Sequence, residues 1–373
     1  MIEKINSKKF YAVGIMSGTS MDGIDASLIL TDGYEFCEVI QNVYSEYTDS
    51  TRADLIKIQE NFQSNVESNE DIDFLSRSLG IFNIETIKPI FDFAEKNGIE
   101  IDVIGYHGQT VYHSPANNAS IQIGDPQSLA NFFHTRVVFE FRSLDILNGG
   151  QGAPLTPIYH KAKFNKHLEY PYAILNIGGI SNLTYINHEE MIAFDIGPGN
   201  AIIDDLVRFL FKKQIDEEGE IASSGVINFQ LVEEFMEDDY FKVSPPKSLD
   251  RNYFNKYTEL LSGDPADKIA TASFFTVRAI IRSLEYFSET PKNIVICGGG
   301  SKNNFLIKQI AKYAKSNILL AEDLNFNSNF IEAEAFGFLA VRRLLNEPIS
   351  YPNTTGVKEP LCGGKVYDPS KSI

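Results

Sequence analysis

Short apolar segments recur along the chain, and glycine-rich turns accompany several of them. Residues 10–15 and 26–30 are two such segments, joined through the stretch "GIMSGTSMDGID" over 14–25. In the second segment apolar residues alternate at positions 26, 28 and 30, which is typical of a strand rather than of a helix. The pattern predicts a β-hairpin whose turn carries glycines, hydroxyl groups and the carboxylate of Asp22.

Three further stretches repeat this association of strand and glycine turn. A second hairpin is predicted from "YAILNIGGISNLTYI" over 172–186. A short strand ending at Asp195, a turn over 197–200 and a helix are predicted from "AFDIGPGNAIIDDLVRFLF". A strand over 293–297, a glycine triplet and a helix from about Asn304 are predicted from "NIVICGGGSKNNFLIKQIAKY".

These four turns favour a fold that binds a nucleotide. A strand, a glycine turn and a helix amino terminus together present free backbone N–H groups to phosphate. Both halves begin with a hairpin, and 373 residues suffice for two domains. We therefore expect a duplicated α/β fold, with a first lobe of residues 1–142 plus about 350–373 and a second lobe of residues 143–349.

Composition narrows the range of partners. The net charge of −17 argues against general binding to nucleic acid or to an anionic membrane. The amino terminus lacks the apolar core of a signal peptide, and no apolar run approaches membrane-spanning length. Cys37, Cys297 and Cys362 match no zinc spacing. We expect a soluble cytoplasmic protein with reduced thiols.

The first turn differs from a Walker A loop, which requires a lysine beside its final hydroxyl residue and a helix directly afterwards. Here a strand follows and the turn has no lysine. Its glycines would let a phosphate chain approach the backbone closely, and Asp22 would hold a magnesium ion directly or through water. A glycine-rich turn without a ligand remains the alternative.

A family resemblance follows from motifs in order between about residue 10 and residue 345: "GIMSGTSMDGID", "GYHGQTVYHSP", "QIGDP", "FRSLDILNGGQGAPLTP", "NIGGISNLT", "FDIGPGNAIIDD", "PPKS", "ICGGGSKNNFL" and "EAEAFGFLAVRRL". Together they resemble the anhydro-N-acetylmuramic acid kinases of the sugar kinase, Hsp70 and actin superfamily. The resemblance implies a two-lobed, actin-like kinase fold, a duplicated ribonuclease H-like architecture with a central nucleotide cleft. It also implies a homodimer that uses ATP and magnesium.

The implied reaction hydrolyses the 1,6-anhydro bridge of anhydro-N-acetylmuramic acid and phosphorylates O6, giving N-acetylmuramic acid 6-phosphate. One carboxylate must activate the attacking water. Asp195 is the candidate, since it matches the family's general base in the "FD.GP" motif. The structural alternative is that Asp195 caps the following helix, although Asn200 stands closer to the helix start.

Four turns supply the expected ATP-binding residues, with Asp22 also the expected metal ligand. Lys302 is the one lysine in these turns, so magnesium and backbone amides must neutralise most of the phosphate charge. The expected residues are Gly14, Ser17, Gly18, Thr19, Ser20, Asp22, Gly23, Asn176, Gly178, Gly179, Gly197, Pro198, Gly199, Asn200, Gly298, Gly299, Gly300 and Asn303.

Four other residues are candidates for contacts with the sugar. Arg142 suits the lactyl carboxylate or the γ-phosphate because its planar fork binds two oxygens, but pairing with Glu140 or Asp145 is an alternative. Asp145 is expected to bind a hydroxyl. His107, after a strand over 103–106, either binds a sugar hydroxyl or is structural.

Glu332 opens a predicted helix and matches a family glutamate, whereas Glu334 is expected at the surface. The chain departs from the family at Glu140, where Asp is usual, and in "LNFNSNF" before Glu332, which weakens the inference there. "SPPKS" is expected to form a rigid surface turn near the cleft.

Two other functions stay open. Levoglucosan kinases share the fold and motifs but need no site for a lactyl or N-acetyl group. A nucleotide-dependent sugar sensor would use the same cleft without turnover. Asp195 favours an enzyme, because a sensor needs no base to activate water.

Overall fold

The computed structural model describes residues 8–18, 21–63, 69–114, 117 and 119–370. Within these ranges the chain forms two compact α/β units. Unit 1 comprises the described residues of Met1–Phe164, Phe330–Pro352 and Val357–Ile373, and unit 2 comprises Asn165–Asn329 and Asn353–Gly356.

The described residues of unit 1 form a seven-stranded sheet. Its strands are β1 (Phe10–Ser17), β2 (Gly23–Thr31), β3 (Cys37–Glu46), β4 (Val103–Ser114), β5 (Ala119–Ile123), β6 (Val137–Phe139) and β12 (Lys365–Tyr367). The order is β12-β6-β4-β1-β2-β3, with β5 paired to β4. The hairpin predicted around the first turn is confirmed, since β1 and β2 are antiparallel, while β1 and β4 are parallel.

The helices of unit 1 are α1 (Asp49–Gln63), α2 (Asn69–Lys96), α3 (Pro126–Phe133), α4 (Ser143–Leu147), α5 (Pro157–Phe164) and α11 (Ile331–Leu344). Helix α11 lies directly against the backbone of β1 and β4. A Cβ atom on Gly14 would lie 1.8 Å from the carbonyl oxygen of Ala333, and one on Gly105 would lie 2.0 Å from that of Phe336. Glycine at both positions lets the helix approach the sheet this closely.

The described residues of unit 2 form a five-stranded sheet in the order β11-β10-β7-β8-β9. Its strands are β7 (Tyr172–Ile177), β8 (Ile180–Ile186), β9 (Met191–Pro198), β10 (Asn293–Cys297) and β11 (Asn317–Leu320). The second predicted hairpin is confirmed as β7 and β8, and β10 lies parallel to β7. Each unit thus begins with an antiparallel hairpin, as the duplicated α/β fold requires.

Unit 2 contains the α-helices α6 (Ala201–Phe211), α7 (Glu220–Ser224), α8 (Phe229–Phe235), α9 (Pro265–Ser283) and α10 (Asn304–Tyr313). Helices α6 and α10 begin where the sequence predicts, directly after glycine turns. Ile202, Ile203 and Val207 of α6 are buried in the core of the unit. The short helix α12 (Pro352–Thr355) lies where the chain passes from unit 1 to unit 2.

The division into units differs from the expected domain limits. Residues 143–164 and 330–349 belong to unit 1, although they were expected in the second lobe. Residues 330–349 belong to unit 1 because α11 packs on β1 and β4, and α5 joins it through the ion pair of Lys163 with Glu334. The carboxyl-terminal segment packs on unit 1 as expected, because β12 pairs with β6, except that residues 353–356 belong to unit 2.

None of the helices in the described part of the chain combines the length and apolar character needed to cross a bilayer. Cys37, Cys297 and Cys362 are free thiols.

Candidate functional site

Two of the glycine turns in unit 2 are joined by backbone hydrogen bonds. The turn between β7 and β8 supplies the carbonyl oxygens of Gly178 and Gly179. The N–H of Asn200 donates to Gly178 at 2.7 Å, and the N–H of Gly199 donates to Gly179 at 3.1 Å. The Asn200 side chain donates from Nδ2 to the oxygen of Ile177 at 3.0 Å. Asn200 occupies the position before α6 without a side-chain capping bond, contrary to its expected role as a cap.

The third turn, after β10, packs against the same place. A Cβ atom on Gly298 would lie 2.1 Å from Oδ1 of Asn176, and Gly298 has a φ of +77°. A Cβ atom on Gly300 would lie 2.4 Å from the Ile177 side chain. Asn303 caps α10, since its side chain accepts the N–H of Leu306 at 3.1 Å. The structure thus brings together three of the four turns that the sequence singled out.

Five glycines of these turns fall into two groups. Gly199, Gly298 and Gly300 are required by packing, because a Cβ atom on each would lie within 2.4 Å of another protein atom. Gly178 and Gly299 are not, because the nearest neighbours of a Cβ atom would be 3.5 and 3.4 Å away. The missing side chains at these two positions therefore leave space that suits a phosphate chain beside the backbone.

Asp195 lies in the same sheet, inside β9 rather than at its end, because the strand continues to Pro198. The residue is only 8% exposed, and Oδ2 accepts the N–H of Leu249 at 2.9 Å. Helix α6 starts six residues later at Ala201, so Asp195 does not cap it. The backbone N–H that contacts Oδ2 fixes the direction of the carboxylate.

The segment "SPPKS", which was expected to form a surface turn, forms a backbone hydrogen bond with Asp195. The backbone N–H of Asp195 donates to the carbonyl oxygen of Lys247 at 3.0 Å. The Tyr240 hydroxyl donates to the backbone carbonyl oxygen of Asp195 at 2.5 Å. Lys247 is buried, and Nζ donates to the oxygens of Tyr240 and Val243. Burial, together with the charge of Arg282, lowers the pKa of Lys247 to about 8. Within "SPPKS" the expectation of a surface position is wrong only for Lys247, which is an internal support, because Ser244 is exposed and the two prolines are half-buried.

The first turn lies in unit 1, where Ser17 and Gly18 contact β4. The Ser17 hydroxyl donates to the oxygen of Gly108 at 3.1 Å, and Nε2 of Gln109 donates to the oxygen of Gly18 at 3.0 Å. Thr19 and Ser20 lie outside the described residues. Gln109 was not predicted from sequence, because nothing in its spacing indicated a contact with this turn.

Two glycines of the first turn have a structural explanation. Gly14 lies inside β1 beneath α11, and a Cβ atom on Gly23 would lie 2.4 Å from the oxygen of Ser45. Packing within unit 1 therefore explains both glycines, and their approach to phosphate stays a prediction.

The magnesium assignment depends on Asp22. This residue is exposed, and its carbonyl oxygen accepts the N–H of Tyr47 at 2.9 Å. Among the described residues, no group of three or more His, Cys, Asp or Glu side chains is arranged to hold a metal ion. Magnesium usually binds one or two carboxylates together with water and substrate phosphates. An exposed carboxylate at Asp22 fits that mode of binding.

Arg142 is the centre of the polar cluster in unit 1. Its Nε and Nη2 lie 3.1 and 3.0 Å from Nε2 of His107, and its Nη1 donates to the oxygen of Gly152 at 2.7 Å. Glu332 is half-buried at the start of α11. Burial raises the pKa of Glu332, and the charge of Arg142 opposes that rise. Three of the predicted sugar-binding residues are thus brought together.

His107 lies inside β4 and not after it. Its Nδ1 is 2.7 Å from the oxygen of Gly108, a pure acceptor, so Nδ1 carries a proton. Nε2 then accepts from Arg142. Burial, helped by Arg142, holds the pKa of His107 well below its usual value. Both ring nitrogens contact protein atoms. Of the two roles expected for His107, the structural one is therefore favoured over a bond to a sugar hydroxyl.

Asp145 has no exposed surface, and Oδ1 accepts the N–H of Gly152 at 2.7 Å. Asp145 thus supports the 150–152 loop, which favours a structural role over the expected bond to a sugar hydroxyl. Glu140 contacts β12, accepting from the Tyr367 hydroxyl at 2.5 Å and lying 3.6 Å from Nζ of Lys365.

The expectation that Glu334 lies at the surface is wrong. Its side chain is 1% exposed, forms an ion pair with Lys163 of α5 at 2.5 Å and accepts from the Tyr159 hydroxyl. Glu332 and Glu334 are two positions apart on α11, so they point to different sides of the helix. Sequence alone does not tell which side faces α5.

Comparisons with known proteins agree with the motifs. The model of the family described as anhydro-N-acetylmuramic acid kinase matches residues 10–369. The anhydro-N-acetylmuramic acid kinase of Zymomonas mobilis subsp. mobilis is 39% identical over 364 residues, which cover 95% of this chain and 99% of that protein. That of Rhodopseudomonas palustris (strain BisB18) is 37% identical over 364 residues, which cover 96% of this chain and 100% of that protein.

Among solved structures, the Acidaminococcus fermentans (R)-2-hydroxyglutaryl-CoA dehydratase component A aligns with a TM-score of 0.46 and 11% identity, over 90% of this chain and 99% of that chain. The sequence relatives match over nearly their whole length, and the family model covers nearly all of this chain. The chain belongs to the anhydro-N-acetylmuramic acid kinase family.

Proposed function

We propose that the protein is an ATP-dependent kinase that opens the 1,6-anhydro bridge of anhydro-N-acetylmuramic acid and phosphorylates O6. The products are N-acetylmuramic acid 6-phosphate and ADP, and the reaction recycles peptidoglycan fragments. Family membership supports this proposal, and one observation carries it. Asp195, in the same sheet that holds the three glycine turns, has a buried carboxylate, and the N–H of Leu249 orients it.

The chemistry assigns a proton transfer to Asp195. Water attacks the anomeric carbon, the bond from that carbon to O6 breaks, and O6 forms a new bond to the γ-phosphorus as ADP leaves. The water must lose a proton, and the Asp195 carboxylate accepts it. The alternative role that sequence allowed for Asp195, capping α6, is ruled out by its position in β9.

The nucleotide is assigned to the glycine turns of unit 2. The backbone beside Gly178 and Gly299 has room for phosphate oxygens, and the amino termini of α6 and α10 add favourable partial charge. Ser17, Gly18 and Asp22 are assigned to the β- and γ-phosphates and the metal. A magnesium ion held by Asp22 would neutralise the negative charge of these phosphates.

The anionic part of the sugar is assigned to Arg142. Its guanidinium is already fixed by His107 and the oxygen of Gly152, so little rotational freedom is lost when a carboxylate binds. Glu332 lies close enough for the charge of Arg142 to influence its pKa, and it is assigned to the same substrate.

A single turnover in water enriched with heavy oxygen tests the reaction. The label should enter the C1 hydroxyl, measured before mutarotation exchanges it, and the transferred phosphate should carry none. An ordinary kinase acting on a free hydroxyl would leave C1 unlabelled. Equal use of levoglucosan would contradict the assignment of a lactyl-bearing substrate.

The Asp195→Asn variant tests the base. It keeps the shape of the side chain but accepts no proton, so turnover should fall by about a hundredfold or more while ATP binding persists. Asp239→Asn is the matched control, because Asp239 is an exposed carboxylate of the same unit paired with Lys242. If Asp195→Asn opens the anhydro-sugar at a normal rate, another acid is the base, and Glu332 is the next candidate.

The resemblance also supports a cytoplasmic homodimer. Light scattering on the purified protein should then give twice the chain mass of 41.8 kDa.

A further inference from the structure

The guanidinium of Arg142 is held from two directions within unit 1. On one side Nε and Nη2 lie 3.1 and 3.0 Å from a single atom, Nε2 of His107. On the other side Nη1 donates to the oxygen of Gly152 at 2.7 Å. These contacts fix both the position and the plane of the guanidinium.

The ring of His107 is itself held so that Nε2 faces Arg142. Nδ1 donates to the oxygen of Gly108 at 2.7 Å, and the ring packs on Phe336 of α11 with 4.5 Å between centroids. This backbone bond selects the neutral tautomer with the proton on Nδ1. Only in that tautomer does Nε2 have a lone pair for Arg142.

We propose that His107 is a positioning residue for the reaction: its unprotonated Nε2 orients the Arg142 guanidinium toward the lactyl carboxylate of the sugar. This assignment rests on the proposed function, in which Arg142 binds that carboxylate. A histidine is suited to the task because it is an acceptor without negative charge. A carboxylate in its place would form an ion pair with Arg142 and compete with the substrate.

The environment keeps this acceptor available. Burial disfavours a cationic ring, and the neighbouring Arg142 repels one, so the pKa of His107 lies well below its usual value. His107 therefore remains neutral through the physiological range, and Arg142 retains its orientation there.

The same histidine links Arg142 to the first glycine turn. The oxygen of Gly108 accepts both the Nδ1–H of His107 and the hydroxyl of Ser17, the latter at 3.1 Å. On the far side, Asp145 fixes the N–H of Gly152, whose oxygen binds Arg142. Arg142 is thus the middle of a continuous hydrogen-bonded chain from Ser17 to Asp145.

The first experiment examines the tautomer in the unmodified full-length protein. Nitrogen NMR of protein labelled in its histidine rings should show, at neutral pH, one ring with a protonated Nδ1 and an unprotonated Nε2. That signal should vanish in His107→Asn, which identifies it. If the signal lost in His107→Asn belongs to a doubly protonated ring, or to one protonated on Nε2, the proposal is overturned whether or not the protein is a kinase.

The second experiment uses two variants that separate the two ring nitrogens. His107→Gln can place an amide oxygen near the position of Nε2, whereas His107→Asn can keep a donor near Nδ1 but has no atom at Nε2. The readout is the ratio of kcat/KM for the natural sugar to that for an analogue with its lactyl carboxylate converted to an amide. A merely structural role would lower both values and leave the ratio unchanged.

We expect His107→Asn to lower this ratio about tenfold, as loss of a well-aligned charged hydrogen bond would, and His107→Gln to recover most of it. Arg142→Ala should lower the ratio at least as much. His134→Asn, at an exposed position with a left-handed φ of 51° that Asn tolerates, is the control for loss of a histidine.

The outcomes distinguish failure of the proposed kinase function from failure of the positioning role of His107. If the wild-type protein opens no anhydro-sugar, the proposed function fails, and the tautomer still decides whether His107 orients Arg142. If Arg142→Ala lowers the ratio but His107→Asn does not, the function stands and the positioning role is overturned. If neither variant changes the ratio, Arg142 does not bind the carboxylate and the proposal fails with that assignment.

Discussion

The two units hold their candidate sites by different means. In unit 1, Arg142 is fixed by a histidine side chain and by a loop that Asp145 supports. In unit 2, the glycine turns are fixed by backbone hydrogen bonds and by close backbone approaches at Gly199 and Gly298. The site in unit 1 depends on hydrogen bonds of particular side chains, whereas the glycine turns of unit 2 depend on positions without a side chain.

This difference predicts how each site responds to mutation. Replacement of Arg142 or His107 in unit 1 should change substrate recognition and leave the backbone in place. In unit 2, replacement of a glycine by alanine should have different effects at different positions of the turns. Where protein atoms occupy the space of the new methyl group, stability should fall, and where the ligand occupies it, ligand affinity should fall.

The largest expected effect is a loss of stability in Gly14→Ala, which would show that unit 1 also depends on a glycine. Gly14→Ala would place Cβ 1.8 Å from the oxygen of Ala333 and 2.4 Å from the nitrogen of Gly337, so α11 must move. We expect a loss of more than about 3 kcal/mol in the free energy of unfolding, measured with denaturant. The control is Gly98→Asn, at a left-handed position with open space around it. An unchanged midpoint for Gly14→Ala would contradict the described packing.

A matched pair in unit 2 sharpens the comparison. Gly199→Ala would place Cβ 2.3 Å from the oxygen of Gly178, whereas Gly178→Ala meets nothing nearer than 3.5 Å. Gly199→Ala should cost about 1–3 kcal/mol of stability. Gly178→Ala should melt normally but bind ATP about tenfold more weakly, because the methyl group takes space assigned to phosphate. Calorimetry measures both, and normal ATP affinity in a stable Gly178→Ala protein would remove this turn from the nucleotide site.

The smallest expected effect is a difference in pH dependence between the units. In unit 1, burial lowers the pKa of His113 and of His160 to about 3. Below the unfolded value of about 6.5, the unfolded chain binds protons that these native histidines do not, so unit 1 loses stability as the pH falls. In unit 2, burial raises the pKa of Asp204 to about 7. The native carboxyl then binds its proton more readily than the unfolded one, so unit 2 gains stability over the same interval.

Each of these groups should contribute on the order of 0.5–1 kcal/mol between pH 7 and pH 6. Hydrogen exchange read by peptide, corrected for the intrinsic effect of pH, resolves the two units. His113→Phe should reduce the response of unit 1, in which His160 remains, and Asp204→Asn should reduce that of unit 2. Responses of the same sign in both units would contradict the opposed burial of acid and base.

Sequence predicted those parts of the fold that depend on local pattern. The two hairpins follow from alternation of apolar residues around glycine, and the starts of α6 and α10 follow from the turns before them. Asp195 was correctly placed in a strand, although the strand continues through the glycine and proline that suggested its end.

The remaining errors concern contacts between distant parts of the chain. Glu332 and Glu334 look alike in sequence, and only the packing of α5 on α11 distinguishes them. His107 and Arg142 are 35 residues apart, and neither spacing nor composition indicates that one orients the other. The domain limit was misplaced for the same reason, since α11 returns to β1 from the far end of the chain.

The placement of the free thiols gives the protein its own chemical reporters. Cys37 in unit 1 lies 3.8 Å from the Tyr159 hydroxyl, and burial raises its pKa to about 12, so almost no thiolate forms at neutral pH. Cys297 in unit 2 is buried at the end of β10. Alkylation should therefore be slow until the corresponding unit opens, at Cys37 because little thiolate forms and at Cys297 because the sulfur is buried. Mass analysis of the alkylated peptides would record the opening of each unit separately, without any engineered label.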